Sequence, residues 1–390
     1  MMQTDPKLMT KEDICAHYGD DYDRFLGAVT TPIYQTSLLK HVEGTGFGGK
    51  GGYSYSRMRN PTIEVAEKKV AALELAEEGI CFASGVAAIS AACLHFVAEG
   101  DHVITLRNAY FPTRHLLGTY LKRFNISYTE VVGDKIEEFE AAIQPNTKLI
   151  MLESPTTYTF QLQDIRAIAE LAKAKGIGTV LDNTWASPMY QNPIAMGIDI
   201  VVHAVSKYIG GHSDLVAGVL VSTQEICDQI RGDYLGLFGA CMNPQAAFLM
   251  IRGIRTLPVR MKAFMESGLA MANFLEQHPK VVAVNYPGLK SHPQYELGKK
   301  QMTGYGALLS FTPRLPDQDT MTAFLNEMTA FQNACSWGGF ESLLGGCASF
   351  DKEEAEKVGL LPGTMRMMVG LENIHTLMDE IDFLLNKYCK

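Results

Sequence analysis

The chain is short of positive charge: 34 Lys and Arg stand against 43 Asp and Glu, a formal net charge of -9, and no Lys/Arg cluster breaks that balance. Binding a phosphate backbone needs a basic face, so no nucleic-acid partner is expected. Long apolar runs are missing too. No stretch approaches the ~18 uninterrupted apolar residues of a membrane span, and the opening segment MMQTDPKLMTKEDICAHYGDDYDRF lacks the apolar core of a secretion signal. A soluble cytoplasmic protein without a membrane partner is expected. Paired cysteines are also absent: Cys15, Cys81, Cys93, Cys227, Cys241, Cys335, Cys347 and Cys389 are scattered, with no CxxC and no His/Cys cluster at zinc spacing. Neither a disulfide framework nor a zinc site is expected.

What is present suits a folded protein. Hydrophobic residues make up 47% and charged residues 20% of 390, ordinary globular usage and enough chain for two domains at the usual ~100–200 residues each. From about residue 60 to 222, short β-branched runs alternate with helical patterns, the sign of βαβ units around a mainly parallel sheet. The first helix is expected from Asn60-Pro61, a cap and a first-turn proline, with Ile63, Ala66, Val70 and Leu73 at helical spacing up to Gly79. Ile80–Phe82, His102–Leu106, Leu149–Leu152, Thr179–Leu181 and Ile200–Val202 read as strands, with Val86–Val97 helical. Around Pro258 a long helix is expected, then the turn Asn285–Leu289 and a second set of elements.

Polar residues collect where the strands end, and in open α/β sheets ligands sit at the carboxyl ends of strands. Ser84-Gly85-Val86 is a strand-to-helix turn whose amides can approach an anion, although Gly85 is equally a tight turn. Val180-Leu181-Asp182-Asn183-Thr184 ends an apolar strand in a carboxylate, which either caps a helix or meets a protonated ring nitrogen. Ser206-Lys207 follows another strand; desolvation there would lower the amine's pKa and make it nucleophilic, where an exposed lysine would be ordinary. Arg366, among apolar neighbours, needs an anion: an internal carboxylate or a substrate's. His203, His212 and Asp214 read as satisfied polar residues rather than a metal site, and the run Gly44–Gly52, which grazes GxGxxG and P-loop patterns, reads as a loop.

Taken in order, these stretches resemble the Cys/Met-metabolism family of pyridoxal phosphate (PLP) enzymes. The likeness runs from about Tyr53 onward through Tyr55-Ser56-Arg57, Asn60-Pro61-Thr62, Ser84–Ala88, Asp182-Asn183-Thr184, Ser206-Lys207-Tyr208 with Gly211–Asp214, and Arg252–Leu257. Ala109–Thr113, Glu153-Ser154-Pro155, Trp185-Ala186, Ala204 and Ser336–Gly339 are similar to its bacterial cystathionine β-lyase branch, whereas many γ-specific relatives carry Ser at 204 and Leu at 337. Cys335, Met368 and Thr157-Tyr158 depart from the usual pattern.

The resemblance implies an α/β, PLP-dependent transferase-like fold of the aspartate aminotransferase type (fold type I). It has a mainly parallel seven-stranded sheet and a smaller C-terminal α/β domain, divided here as arm 1–60, large PLP-binding domain 61–250 and small domain 251–390. It further implies that Lys207 is the Schiff-base lysine, that Asp182 keeps the pyridine nitrogen protonated and that Tyr110 stacks on the ring. Gly85, Val86, Thr184 and Ser206 would complete the cofactor site, with Tyr55 and Arg57 arriving from a second copy in a homodimer or homotetramer. Arg366, Ser336 and Trp337, with Tyr55 and Tyr110, would bind a small sulfur amino acid. The activity implied is α,β-elimination of cystathionine, the alternatives being a γ-lyase, an O-acylhomoserine sulfhydrylase or a PLP-binding regulator with weak lyase activity.

Overall fold

The computed structural model describes residues 5–40 and 53–390; the glycine run 44–52 lies outside them. Strands β1 (Glu78–Phe82), β2 (His102–Leu106), β3 (Ser127–Val131), β4 (Thr147–Glu153), β5 (Gly178–Asp182), β6 (Ile200–Ala204) and β7 (Gly218–Ser222) form one sheet in the order β1-β7-β6-β5-β4-β2-β3. Only β7 runs against its neighbours. The mainly parallel sheet expected from the sequence is therefore present, with β7 wedged between β1 and β6.

Side chains alternate across this sheet. Leu149, Met151, Val180, Ile200 and Val202 pack on one face, and Ile150, Leu152, Leu181 and Val201 on the other. Helices cover both faces, so the central strands are mostly apolar, whereas the edge strand β3 exposes Ser127 and Tyr128. The strands β1, β2, β4, β5 and β6 all present their carboxyl ends to the same edge, where a ligand of such a sheet sits.

Asn60 caps the helix Pro61–Glu74 by accepting from the Thr62 amide. The helix stops short of the expected Gly79 because Leu75 turns left-handed (φ 62°), its amide closing on Ala71 and Ala72 carbonyls. The freed chain enters β1 at Glu78, two residues before the strand read from the sequence. The long helix likewise begins earlier than expected. It spans Pro244–Gln277, started by Pro244 at its first turn and Asn243 accepting from Ala246 N, and it carries Pro258 in its interior.

That helix runs from the large sheet to a second one, the antiparallel β8 (Val281–Asn285), β9 (Leu308–Pro313), β10 (Leu343–Gly346) and β11 (Met365–Met368) in the order β10-β11-β9-β8. Arg260 of the long helix donates to the Tyr208 carbonyl at 2.7 Å and to the Gly253 carbonyl at 2.7 Å, tying the segment after β6 to the helix. No helix among the described residues is long and apolar enough to cross a membrane.

Candidate active site

Three strand ends of the large sheet and one loop of the small sheet meet around Lys207. After β6 the chain turns tightly, with Lys207 N bonded to Ala204 O and Gly211 N to Lys207 O at 2.7 Å. The turn aims the lysine at the small sheet, where its Nζ donates to Ser336 Oγ at 2.8 Å and lies 5.4 Å from the centre of the Trp337 ring. The backbones themselves touch here. A Cβ on Gly338 would sit 2.8 Å from Tyr208 N, and Gly338 has φ 83°, so only glycine lets the loop approach the lysine this closely. Burial, reinforced by the Arg366 cation, pushes the Lys207 amine below the ordinary lysine range; Cys335 and Asp182 oppose that only in part.

Asp182 closes β5. Its Oδ1 accepts from both the amide and the hydroxyl of Thr184, and Thr184 Oγ in turn accepts from Ala204 N at 2.8 Å. The sequence leaves helix capping open for Asp182, and this local turn replaces it. Burial raises the Asp182 pKa, against the Thr184 bonds and the His203 and Lys207 charges. Its second oxygen has no donor among the described residues although the residue is 8% exposed. That oxygen is free to accept an N–H from outside the chain.

Beyond β1, Ser84 caps the helix Gly85–Phe96, taking the Ala87 amide and leaving those of Gly85 and Val86 without a protein acceptor among the described residues. A Cβ at Gly85 would meet Ala204 Cβ at 2.8 Å, which seats the helix start against the end of β6. Ser206, next to the lysine, has its Oγ held by the Ala217 amide at 3.2 Å. A pair of free amides at a helix start suits a phosphate group, an unpaired buried carboxylate suits a protonated ring nitrogen, and a desolvated lysine suits an aldehyde. The residues present therefore fit PLP.

Tyr110 precedes the short helix Phe111–His115 and is 42% exposed; burial, Asp182, Glu153 and Cys335 raise its phenol pKa, which places it in the same group. Arg366 lies at the middle of the small sheet, paired to Ser310 on one side and Gly345 on the other. It is half-buried rather than enclosed, and among the described residues it makes no ion pair with a carboxylate. Instead it donates to the Cys335 carbonyl at 2.5 Å and stands 5.1 Å over the Tyr158 ring. Tyr158, Cys335, Cys347 and Arg366 line a small pocket beside it.

Tyr55 and Arg57 lie on the surface, stacked 5.4 Å apart on one another, and make no bond to Lys207, Asp182 or Arg366. Two further residues belong to the site although the sequence gives them no role. Glu153, which the sequence marks only as part of a family pattern, ends β4 in register with Asp182, and its signal is the same: a carboxylate closing an apolar strand. Tyr158, a departure from that pattern, lies under Arg366, and no local pattern announces it. Among the described residues no cluster of His, Cys, Asp and Glu is placed to hold a metal.

Residues 12–386 match the family described as Cys/Met metabolism PLP-dependent enzyme, a likeness that begins well before Tyr53. The chain is 40% identical over 377 residues to the cystathionine β-lyase of Lactococcus lactis subsp. cremoris, covering 95% of this chain and 97% of that one. It is 38% identical over 376 residues to the L-methionine γ-lyase of Fusobacterium nucleatum subsp. nucleatum, with 93% and 94% covered. It is 37% identical over 378 residues to the cystathionine γ-lyase of Bacillus subtilis, with 96% and 98% covered. The crystal structure of metB from Corynebacterium glutamicum superposes with a TM-score of 0.91 at 34% identity, covering 98% of this chain and 99% of that one.

Proposed function

Because this chain belongs to the Cys/Met metabolism family of PLP-dependent enzymes, we propose that it is a carbon-sulfur lyase that eliminates the β-substituent of L-cystathionine. PLP, when bound, supplies the electron sink that makes the Cα–H bond acidic. The observation that carries the reading is the meeting of Lys207 with Ser336 and Trp337, next to an arginine that no described carboxylate neutralises.

Each residue then has one task. Arg366 takes the substrate carboxylate in its planar fork, and its stack on Tyr158 and bond to the Cys335 carbonyl hold that fork still. Lys207 Nζ, whose pKa is lowered by burial and by the Arg366 cation, accepts the Cα proton. Ser336 Oγ holds that nitrogen in place. With PLP bound, Asp182 would keep the ring nitrogen protonated, and the Gly85 and Val86 amides with Ser206 and Thr184 would hold the cofactor. Tyr110 would stack on the cofactor ring. The Cβ–S bond breaks, the thiolate takes a proton, and the three-carbon remainder adds water to give pyruvate and ammonia. Tyr55 and Arg57 are exposed and act in the site of a second copy, so the working form is a homodimer or a pair of homodimers.

The β-specific reading rests on Trp337 and Ala204, since the β- and γ-lyases above are almost equally similar. PLP-loaded protein incubated with L-cystathionine should release pyruvate and homocysteine. Release of 2-oxobutyrate and cysteine would make it a γ-lyase, and no turnover on any sulfur amino acid would favour the PLP-binding regulator.

A further inference from the structure

Glu153 is a buried carboxylate, 9% exposed, that the steps above leave without a task. It is the last residue of β4 and stands in register with Asp182 on the neighbouring parallel strand, so the two side chains leave the sheet edge alongside each other. On its other side β4 pairs with β2, the strand that leads to Tyr110. Glu153 bridges this gap: Oε2 accepts from the Tyr110 amide at 2.6 Å and Oε1 from the Thr157 hydroxyl at 2.6 Å. A carboxylate beside another carboxylate in a buried setting is unfavourable, and both burial and Asp182 raise the Glu153 pKa. An apolar residue would avoid that cost but would leave the Tyr110 amide without its acceptor.

We propose that Glu153 is a positioning residue of this active site: its two oxygens tie the backbone of Tyr110 and the loop at Thr157 to the end of β4, and so fix the Tyr110 ring beside Asp182. The inference rests on the PLP reading of the site. Glu153 acts through Tyr110, by geometry rather than by charge. The length of the side chain is therefore what matters. Glutamine keeps an oxygen for the Tyr110 amide and presents an N–H to the Thr157 hydroxyl, whereas aspartate keeps the carboxyl group but is one methylene too short to reach both.

The test compares Glu153→Gln and Glu153→Asp in the full chain, alone and with Tyr110→Ala. PLP affinity is read from the return of the visible absorbance as apoenzyme is titrated with PLP, and kcat and KM are read separately on L-cystathionine. Glu153→Asp should weaken PLP binding and lower kcat by about tenfold, the effect of one buried hydrogen bond lost, with KM, governed by Arg366, moving far less. Glu153→Gln should restore both to near the parent values. In the Tyr110→Ala background the aspartate variant should lose nothing further. Parent-like binding by Glu153→Asp, a loss in Glu153→Gln as large as in Glu153→Asp, or an undiminished loss in the Tyr110→Ala background would each overturn the proposal. If the parent apoenzyme takes up no PLP, it is the reading of the site that fails.

Discussion

Lys207 Nζ and Ser336 Oγ lie 2.8 Å apart although 129 positions separate them in the chain. The lysine follows a strand of the large sheet and the serine belongs to a loop of the small one, so this bond joins the two sheets at the point where chemistry is proposed. Ser336→Ala removes the acceptor but leaves the amine desolvated. A fall in kcat/KM of about fivefold is expected, the ~1 kcal/mol of one such bond, whereas Lys207→Ala should abolish both turnover and the visible absorbance of bound PLP. Steady-state kinetics and absorbance spectra check both; full activity in Lys207→Ala would remove the lysine from the mechanism.

Arg366 is held by the Tyr158 ring and the Cys335 carbonyl rather than by a carboxylate. Arg366→Ala should raise KM by about 30-fold or more, the ~2 kcal/mol expected when a charged partner of a bound carboxylate is removed, with PLP absorbance retained. Tyr158 has a left-handed backbone (φ 66°), uncommon for an aromatic residue, and its carbonyl is pinned by the Ser310 hydroxyl at 2.6 Å. Tyr158→Ala should raise KM several-fold through loss of an interaction worth ~0.5–2 kcal/mol. An unchanged KM would show that the stack does not orient the arginine.

Gly85 is in contact with the end of β6, so Gly85→Ala forces a methyl to within 2.8 Å of Ala204 Cβ. Overpacking of this kind costs about 1–3 kcal/mol, and it pushes the free amides of Gly85 and Val86 away from their place. Both the denaturant midpoint and the affinity for PLP should fall. Loss of stability alone would leave Gly85 as a tight turn without a part in holding phosphate.

Glu153 also makes a prediction about pH in the apoprotein. Burial and Asp182 raise its folded pKa above the unfolded value, so above the ordinary carboxylate range the folded chain holds more protons than the unfolded one. Its contribution to stability therefore declines as pH rises through that window. Glu153→Gln has no proton to lose there. Melting temperatures of the two apoproteins should be closest near pH ~4, at the ordinary carboxylate pKa, with the glutamine form gaining toward neutral pH. A difference that stays constant with pH would contradict the raised pKa.

Much of the molecule is legible in its sequence because the relevant physics is local. Short β-branched runs bounded by turn residues mark buried strands, so local pattern places Asp182 and Lys207 at strand ends. The cap of Asn60 and Pro61 announces a helix start in the same way. Element ends are less legible: Leu75, not Gly79, turns left-handed, and Pro258 sits inside the long helix. The order of the strands, and everything that depends on it, was decided by the tertiary structure alone. Packing puts β7 between β1 and β6, sets Glu153 beside Asp182 and carries the small sheet across until Ser336 reaches Lys207 and Tyr158 lies under Arg366. Periodicity tells which face of an element is buried but not against what. Those partners are chosen by burying the faces of many elements together, a condition on the whole chain that no stretch of it expresses.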